Sequence, residues 1–481
     1  MKEYHIQNGP FERSKQKTSK MMFHVLIALL PIVVFQFYKN GVVPYIHNKV
    51  GVWGLCYPLL FVLISPIITY LIEWIYARFF LHKKETDLKK YMQTSYALLP
   101  GLFLALVLPI HTPIPILILG AAFATIIGKL VYGGFGNNIF NPALIGRLFI
   151  ITAYAGVIVS HGGYFNAYEV DTISHATPLS NASTIEGIGT YETLVKPYGS
   201  LWNFFTGMIP GAVGETSSIL CIIGFFYLTW KNVIKWRIPI CYIGTVFFLT
   251  MLIGISNGLS LWYPLFQILS GGLFFGAIFM ATDPVTSPVT KNGQILYGIG
   301  LGIFTVLFRY LTSYPEGVLT SILTMNMLNF IIDKIGIGCQ KKENLVVTIA
   351  IILVGLGLTV YVVNSRYAIS GEAVDPNFTV IEQKTIGNQV IYKVSQKGNG
   401  GPITCEVAIK DGKITNLKVL EHNETPSYYA LVEKENYVQK LIQNQNQLSE
   451  LDTVSGATIS SNALKKLVIH TLQEYEEHYE K

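Results

Sequence analysis

The chain has 481 residues, 51% hydrophobic and only 13% charged, with a mean hydropathy of +0.43; a soluble globular protein carries roughly 25% charged residues, so this composition reads as a membrane protein. The charge is also divided, with 12 Lys and Arg against 15 Asp and Glu in residues 365–481, and 23 against 14 in residues 1–364. That division excludes a single soluble enzyme, a disordered chain and a nucleic-acid binder, whose basic residues gather on one face instead of punctuating apolar runs.

In chain order, the N-terminal stretch 1–21 is polar and long, and no small-residue cleavage site follows the first apolar run, so no cleavable signal peptide is expected. A bilayer core needs about 20 apolar residues per helix. Spans are predicted at 22–38, 52–76, 93–110, 114–133, 142–160, 216–230, 238–255, 261–281, 294–311, 316–332 and 345–363. Segment 201–215 is apolar but broken by Gly and Pro, and is expected to be re-entrant or interfacial, since non-helical backbone survives at membrane depth only where protein or a polar cavity satisfies it. Lys and Arg placement gives the orientation. Basic residues cluster at Arg13–Lys20, Arg78–Lys90, Lys231–Arg237 and Lys334–Lys342, whereas the alternate loops hold little beyond Lys39, Lys49 and Lys196. The N-terminus is therefore expected in the cytoplasm of a cell whose inner membrane the chain spans. Loop 161–200 and residues 365–481 are then outside.

The tail 365–481 reads as α+β. Segments 384–396 and 404–422 alternate as strands with a hairpin signal at Asp411-Gly412, and segments 431–447 and 460–481 carry helical spacing, the last with its start signal at Ser460, Ser461 or Asn462. The expected organisation is an N-terminal cytoplasmic segment (1–21), a membrane domain of about ten helices (22–335), a linker with one more helix (336–364) and an extracytoplasmic domain (365–481). Cys56, Cys221, Cys241, Cys339 and Cys405 lie far apart with no Cys-x-x-Cys pair, which argues against a metal centre built by this chain alone.

One peptide pattern occurs twice. Asp171-Thr172-Ile173-Ser174-His175-Ala176-Thr177 in the long loop and Asp452-Thr453-Val454-Ser455-Gly456-Ala457-Thr458 in the tail both read Asp-Thr-x-Ser-x-Ala-Thr. Either copy alone suits a turn or helix N-cap. Two copies, both on predicted outer segments, point instead to a threonine hydroxyl offered for modification.

Asp452-x-x-Ser455-Gly456-Ala457-Thr458 resembles the acceptor motif for covalent FMN, in which a flavin transferase joins the FMN phosphate to the threonine. With Gly400-Gly401-Pro402-Ile403, Asp411-Gly412-Lys413-Ile414, His422-x-Glu424-Thr425-Pro426 and Ser461-Asn462, the tail resembles the FMN-binding domain of the Rnf G and Nqr C subunits. Where that family continues with a Gly-rich turn, this chain has Ser427-Tyr428-Tyr429. Residues 12–335 resemble the Rnf D and Nqr B subunits through Met21-Met22, the stretch Gly136–Ala143, Gly214-Glu215-Thr216-Ser217, Met280–Pro288 and Tyr314-Pro315-Glu316-Gly317. Asp171, Ser174, Ala176 and Thr177 fall where that family carries its own FMN, with His175 in place of the commoner glycine.

The resemblance implies a D-type subunit fused to a G-type domain, not catalytic alone, holding covalent FMN at Thr177 and Thr458. It further implies other membrane and iron–sulfur subunits and a flavin transferase as partners. The complex would be a redox-driven Na⁺ or H⁺ translocase, of the Rnf ferredoxin:NAD type. The residues leave open an Nqr-type NADH:quinone reductase subunit and a non-redox transporter or channel with an extracytoplasmic sensor domain. Asn137, Asn138, Asn141 and Arg147 form a polar stretch between two spans; the resemblance implies that it lines a noncovalent riboflavin or an electron path, and its Asn-Pro element alone suits a turn that ends a helix. Glu215 is an ion-path candidate, a carboxylate beside backbone carbonyls being a cation-binding arrangement. For Asp283, a helix-end cap, a pairing with Lys291 and a place on an ion path are all open.

Overall fold

The computed structural model describes residues 18–161, 177–184, 188–312, 317–339, 341–369, 378–386, 389–398, 401–410, 412–424, 426–445, 448, 453–454 and 457–479. The chain divides into two units, Met1–Ser365 and Arg366–Lys481.

Among the described residues of the first unit, seven helices are long and apolar enough to cross a membrane: Thr18–Ile46, Val52–Phe80, Ile114–Tyr132, Arg237–Ser256, Lys291–Leu311, Val318–Gly338 and Lys342–Arg366. A bent pair, Trp262–Leu269 and Leu273–Met280, makes an eighth, with a 63° angle at residues 270–272. Three predicted spans are shorter or distorted. Predicted span 93–110 is a ten-residue helix, Leu98–Val107, because Tyr96 is left-handed and closes the helix before it, while Pro109 and Pro113 follow. At 1.5 Å per residue it covers about 15 Å, half a bilayer core. Ser218–Trp230 has 13 residues, and Pro142–Ser160 is interrupted by non-helical backbone at Tyr154.

The two half-length helices are completed by each other's neighbourhood. Segment 201–215 forms a short helix, Leu201–Thr206, and then non-helical backbone up to Ser217, with residues 212–217 all buried. Its Val213 and Gly214 amides donate to the Leu108 and Leu106 carbonyls, so unwound backbone is satisfied by the open C-terminal end of helix Leu98–Val107 away from water. Small residues set the closest helix contacts. A Cβ on Gly101 would fall 2.5 Å from the Ser65 carbonyl oxygen, and one on Gly302 would fall 2.5 Å from Thr245 Cβ. Those glycines let helix Leu98–Val107 and helix Lys291–Leu311 lie directly on their neighbours.

Lys39 does not belong to an outer loop. The first span runs on through a π-helical stretch, Tyr38–Val42, to Ile46, and carries the Lys39 side chain into the protein, 3% exposed. The segments predicted to lie outside are therefore poorer in basic residues than the sequence suggested, which sharpens the predicted charge bias.

The second unit is a four-stranded antiparallel sheet in the order β1-β2-β3-β4: Phe378–Ile386, Gln389–Lys397, Pro402–Lys410 and Lys413–His422. Strict alternation in β2 buries Val390, Tyr392, Val394 and Gln396 on one face. Against that face, Leu464, Leu467 and Val468 of the last helix complete a core with Val407 and Ile409. The β3–β4 turn places Gly412 at φ +73°, a conformation glycine adopts freely, while Asp411 lies outside the described residues. The last helix begins at Thr458, ahead of the predicted Ser460–Asn462 start. Ser461 Oγ is spent on the preceding loop, accepting from the Val454 amide and donating to the Ala457 carbonyl.

Candidate functional site

Thr177 stands immediately before helix Pro178–Thr184 and is 3% exposed. Its Oγ1 accepts from the Ser180 amide at 3.2 Å and its carbonyl from the Asn181 amide at 2.9 Å, the geometry of an N-cap. Asp171, Ser174 and Ala176 lie outside the described residues. Two residues beyond Thr177, Leu179 is buried against the break in the bent helix pair: a Cβ on Gly271 would come within 2.8 Å of its Cδ1. The next residue, Gly272, faces Glu215, whose carboxyl carbon would be 2.4 Å from a Cβ there. Arg309 covers the end of the first half-helix, donating to the Gln267 carbonyl at 2.6 Å and Gln267 Oε1 at 3.2 Å.

Glu215 is 5% exposed and Arg147 is 3% exposed, and they pair at 2.5 Å across 68 residues of sequence. Arg147 belongs to helix Pro142–Ser160, not to a connecting stretch. A lone buried charge is prohibitively costly, and pairing with hydrogen bonding is what permits it.

A second buried pair was not singled out from the sequence. Lys129 Nζ lies 2.7 Å from Glu73 Oε1 and donates to the Ser95 carbonyl at 2.6 Å. The signal was available, since Glu73 is the one acid in Val52–Phe80 and Lys129 the one charge in Ile114–Tyr132.

Lys129, Asn138, Asn141 and Asp283 line one cleft of about 70 Å³ with Phe103 and Phe135, well below the ~300 Å³ at the small end of ligand pockets. Asn137 is exposed and does not line it; its side chain donates to the Gly133 carbonyl. Asn141 Oδ1 accepts from the Ala143 amide, capping the helix that Pro142 opens. Asp283 does not take Lys291. Its Oδ2 accepts from the Thr286 amide at 3.2 Å and the Thr286 hydroxyl at 3.0 Å, a closed turn that leaves Lys291 aside. Burial pushes the Asp283 carboxyl up to about 6, against those two hydrogen bonds.

In the second unit, Ala457 is 3% exposed, and its amide donates to the Val454 carbonyl at 3.0 Å. Asp452, Ser455 and Gly456 lie outside the described residues. Just beyond Thr458, the Ser460 hydroxyl donates to the buried Glu424 carboxylate, joining the motif to the end of β4. Gly398 admits that carboxylate, since a Cβ there would lie 2.1 Å from Glu424 Oε1. His422 stacks on Tyr429 with ring centroids 3.6 Å apart. Thr453 and Val454 border a cavity of about 360 Å³ with Leu431, Lys434, Tyr437 and Lys440. Its size fits a flavin; Glu435 also lines it and pairs with Lys440 at 2.8 Å.

These features define a multi-pass membrane protein with an appended flavin-binding unit. Residues 5–338 match the NQR2, RnfD, RnfE family and residues 398–473 match the FMN-binding domain; the chain belongs to the NQR2, RnfD, RnfE family. It is 36% identical over 333 residues to the D component of the proton-translocating ferredoxin:NAD(+) oxidoreductase complex of Clostridium ljungdahlii, covering 68% of this chain and 93% of that relative. It is 34% identical over 348 residues to the D component of the Na(+)-translocating ferredoxin:NAD(+) oxidoreductase complex of Acetobacterium woodii, covering 70% and 97%. The D component of the ion-translocating oxidoreductase complex of Citrobacter koseri is 28% identical, covering 69% and 96%.

Proposed function

We propose that this chain is the flavin-carrying membrane subunit of an Rnf-type complex, relaying electrons between ferredoxin and NAD and coupling them to Na⁺ or H⁺ translocation. The observation that carries this reading is the twofold Asp-Thr-x-Ser-x-Ala-Thr pattern, one copy in the membrane unit and one inside the segment matching an FMN-binding domain. FMN, once attached, supplies one- and two-electron redox chemistry. The chain's own residues position it. Thr177 and Thr458 are tethers esterified to the FMN phosphate by a flavin transferase, on the outer side of the cytoplasmic membrane. An ester oxygen keeps a lone pair for the Ser180 amide, so the N-cap is compatible with attachment. Because Thr177 is 3% exposed, the transferase reaches it only when the helix start lifts.

From Thr177 the packing leads through Leu179 and the Gly271-Gly272 break to the Glu215–Arg147 pair. A charge or position change at the Thr177 helix is thereby delivered to a buried carboxylate. Moving one cation against 100 mV costs about 2.3 kcal/mol, so the break needs only a modest free-energy bias per ion. Metal centres of partner subunits complete the electron path. Asn138, Asn141 and Phe135 at the small cleft are the candidates for a noncovalent riboflavin, which requires the cleft to open. The test is peptide mass spectrometry of the assembled complex expressed with a flavin transferase. Both the Thr177 and Thr458 peptides are expected to carry an FMN mass, and two unmodified peptides refute the reading.

A further inference from the structure

Lys39 is the feature that neither the flavin tethers nor the two buried ion pairs account for. Its π-helical stretch interrupts the first span, and such bulges re-aim side chains, often at functional sites. The ammonium donates to the Ile209 carbonyl at 2.6 Å and to Thr216 Oγ1 at 3.1 Å, and among the described residues no carboxylate accepts from it. Gln36 shares Thr216 Oγ1 at 3.3 Å and holds Asn40 through its own Oε1. Glu215, adjacent in sequence, has its carboxylate turned to Arg147.

Both acceptors of Lys39 lie on the non-helical segment 207–217. That segment is held rigidly: Val213 and Gly214 are bonded to the 106–108 backbone, and a Cβ on Gly211 would meet Thr216 Cγ2 at 2.7 Å. A fixed backbone carbonyl and hydroxyl on unwound backbone are the oxygen donors that monovalent cations take inside transport proteins. An ammonium without a counter-ion is expensive to bury, yet here it fills that position.

We propose that segment 207–217 forms a monovalent-cation nest on the ion path, and that the Lys39 ammonium is its tethered occupant. A free Na⁺ gains the nest only when the lysine leaves it. Lys39 thus sets whether this site presents a fixed positive charge or binds an ion from solution. The inference rests on reading the chain as part of an ion-translocating complex.

The test uses the whole assembled complex, with thermal unfolding in NaCl compared with choline chloride at equal ionic strength, and ferredoxin-driven NAD reduction as the second readout. Lys39→Ala vacates the oxygens. It is expected to lose about tenfold in turnover without Na⁺, the factor of one charge-assisted hydrogen bond, and to gain a Na⁺-dependent rise in Tm beyond any that wild type shows. Lys39→Met fills the same space without charge and should gain no such response, and Thr216→Val in the Lys39→Ala background should abolish it. A Lys39→Ala complex whose Na⁺ response equals that of wild type overturns the proposal. So does one that fails to assemble whether or not Na⁺ is supplied. The Na⁺-dependent Tm is read without electron transfer, so its failure is distinct from an absence of flavin on Thr177 and Thr458.

Discussion

Asp283 illustrates how a single side chain departs from its textual surroundings. It sits three residues past the end of the bent helix pair, and its neighbourhood favours the neutral acid, with its carboxyl raised from 3.8 to about 6. A raised carboxyl contributes stability that is fully present below the unfolded value and is lost as pH climbs through the folded one. The window is therefore about pH 4 to 6. Asp283→Asn keeps an oxygen for the two Thr286 donors and stays neutral throughout. It is expected to melt with wild type near pH 4 and about one or two degrees above it at pH 7, read by thermal unfolding of the complex across that range. A variant that melts below wild type at pH 7 shows that the ionised carboxylate is the form the structure uses. At the same scale, Glu73 and Lys129 were legible as lone charges in apolar runs, but their pairing was not, because 56 residues separate them.

The element that matters most is the break at residues 270–272. Its two glycines serve different ends. Gly271 has φ +66°, which favours glycine for the backbone turn itself, while Gly272 has ordinary φ and is small only because Glu215 lies against it. Gly272→Ala should therefore leave the bend intact and push the carboxylate off Arg147. Parting a buried pair costs about 3–5 kcal/mol, and ion uptake by vesicles per NADH formed is expected to fall at least about tenfold. Glu215→Asp in that background, one methylene shorter, should recover part of the loss. Equal losses in the single and double variants mean that the glycine serves the backbone alone. Sequence pattern marked 261–281 as one span, since hydropathy averages over a three-residue break. It marked 201–215 as irregular because Gly and Pro there interrupt the apolar run.

For the whole molecule, the division at Ser365 and Arg366 separates a helical body from a sheet domain with its own hydrophobic core. If each unit bears one flavin, a chain ending at Ser365 should still insert, assemble and keep a fluorescent flavin band in a denaturing gel, at about half the full-length intensity per chain. Thr177→Ala in that shortened chain should remove the band. Persistence of fluorescence after both changes locates covalent flavin elsewhere. The second unit was readable as α+β because period-two alternation in β2 and the β3–β4 turn are local signals. The placement of its last helix start was not, because the Ser460 hydroxyl binds the Glu424 carboxylate 36 residues away, a contact that no local pattern encodes.

By itself, the sequence determined that the chain crosses a membrane repeatedly, carries basic residues between its spans and ends in a separate domain, and that one threonine motif occurs in both parts. Those properties follow from composition, hydrophobic period and short motifs, which depend on neighbours along the chain. Only the tertiary structure decided which charges are buried and with whom. Arg147 meets Glu215 and Lys39 meets Ile209 across 68 and 170 residues, respectively. Those meetings depend on where unwound backbone can be satisfied inside the bundle, and the Gly214 amide on the Leu106 carbonyl is such a place.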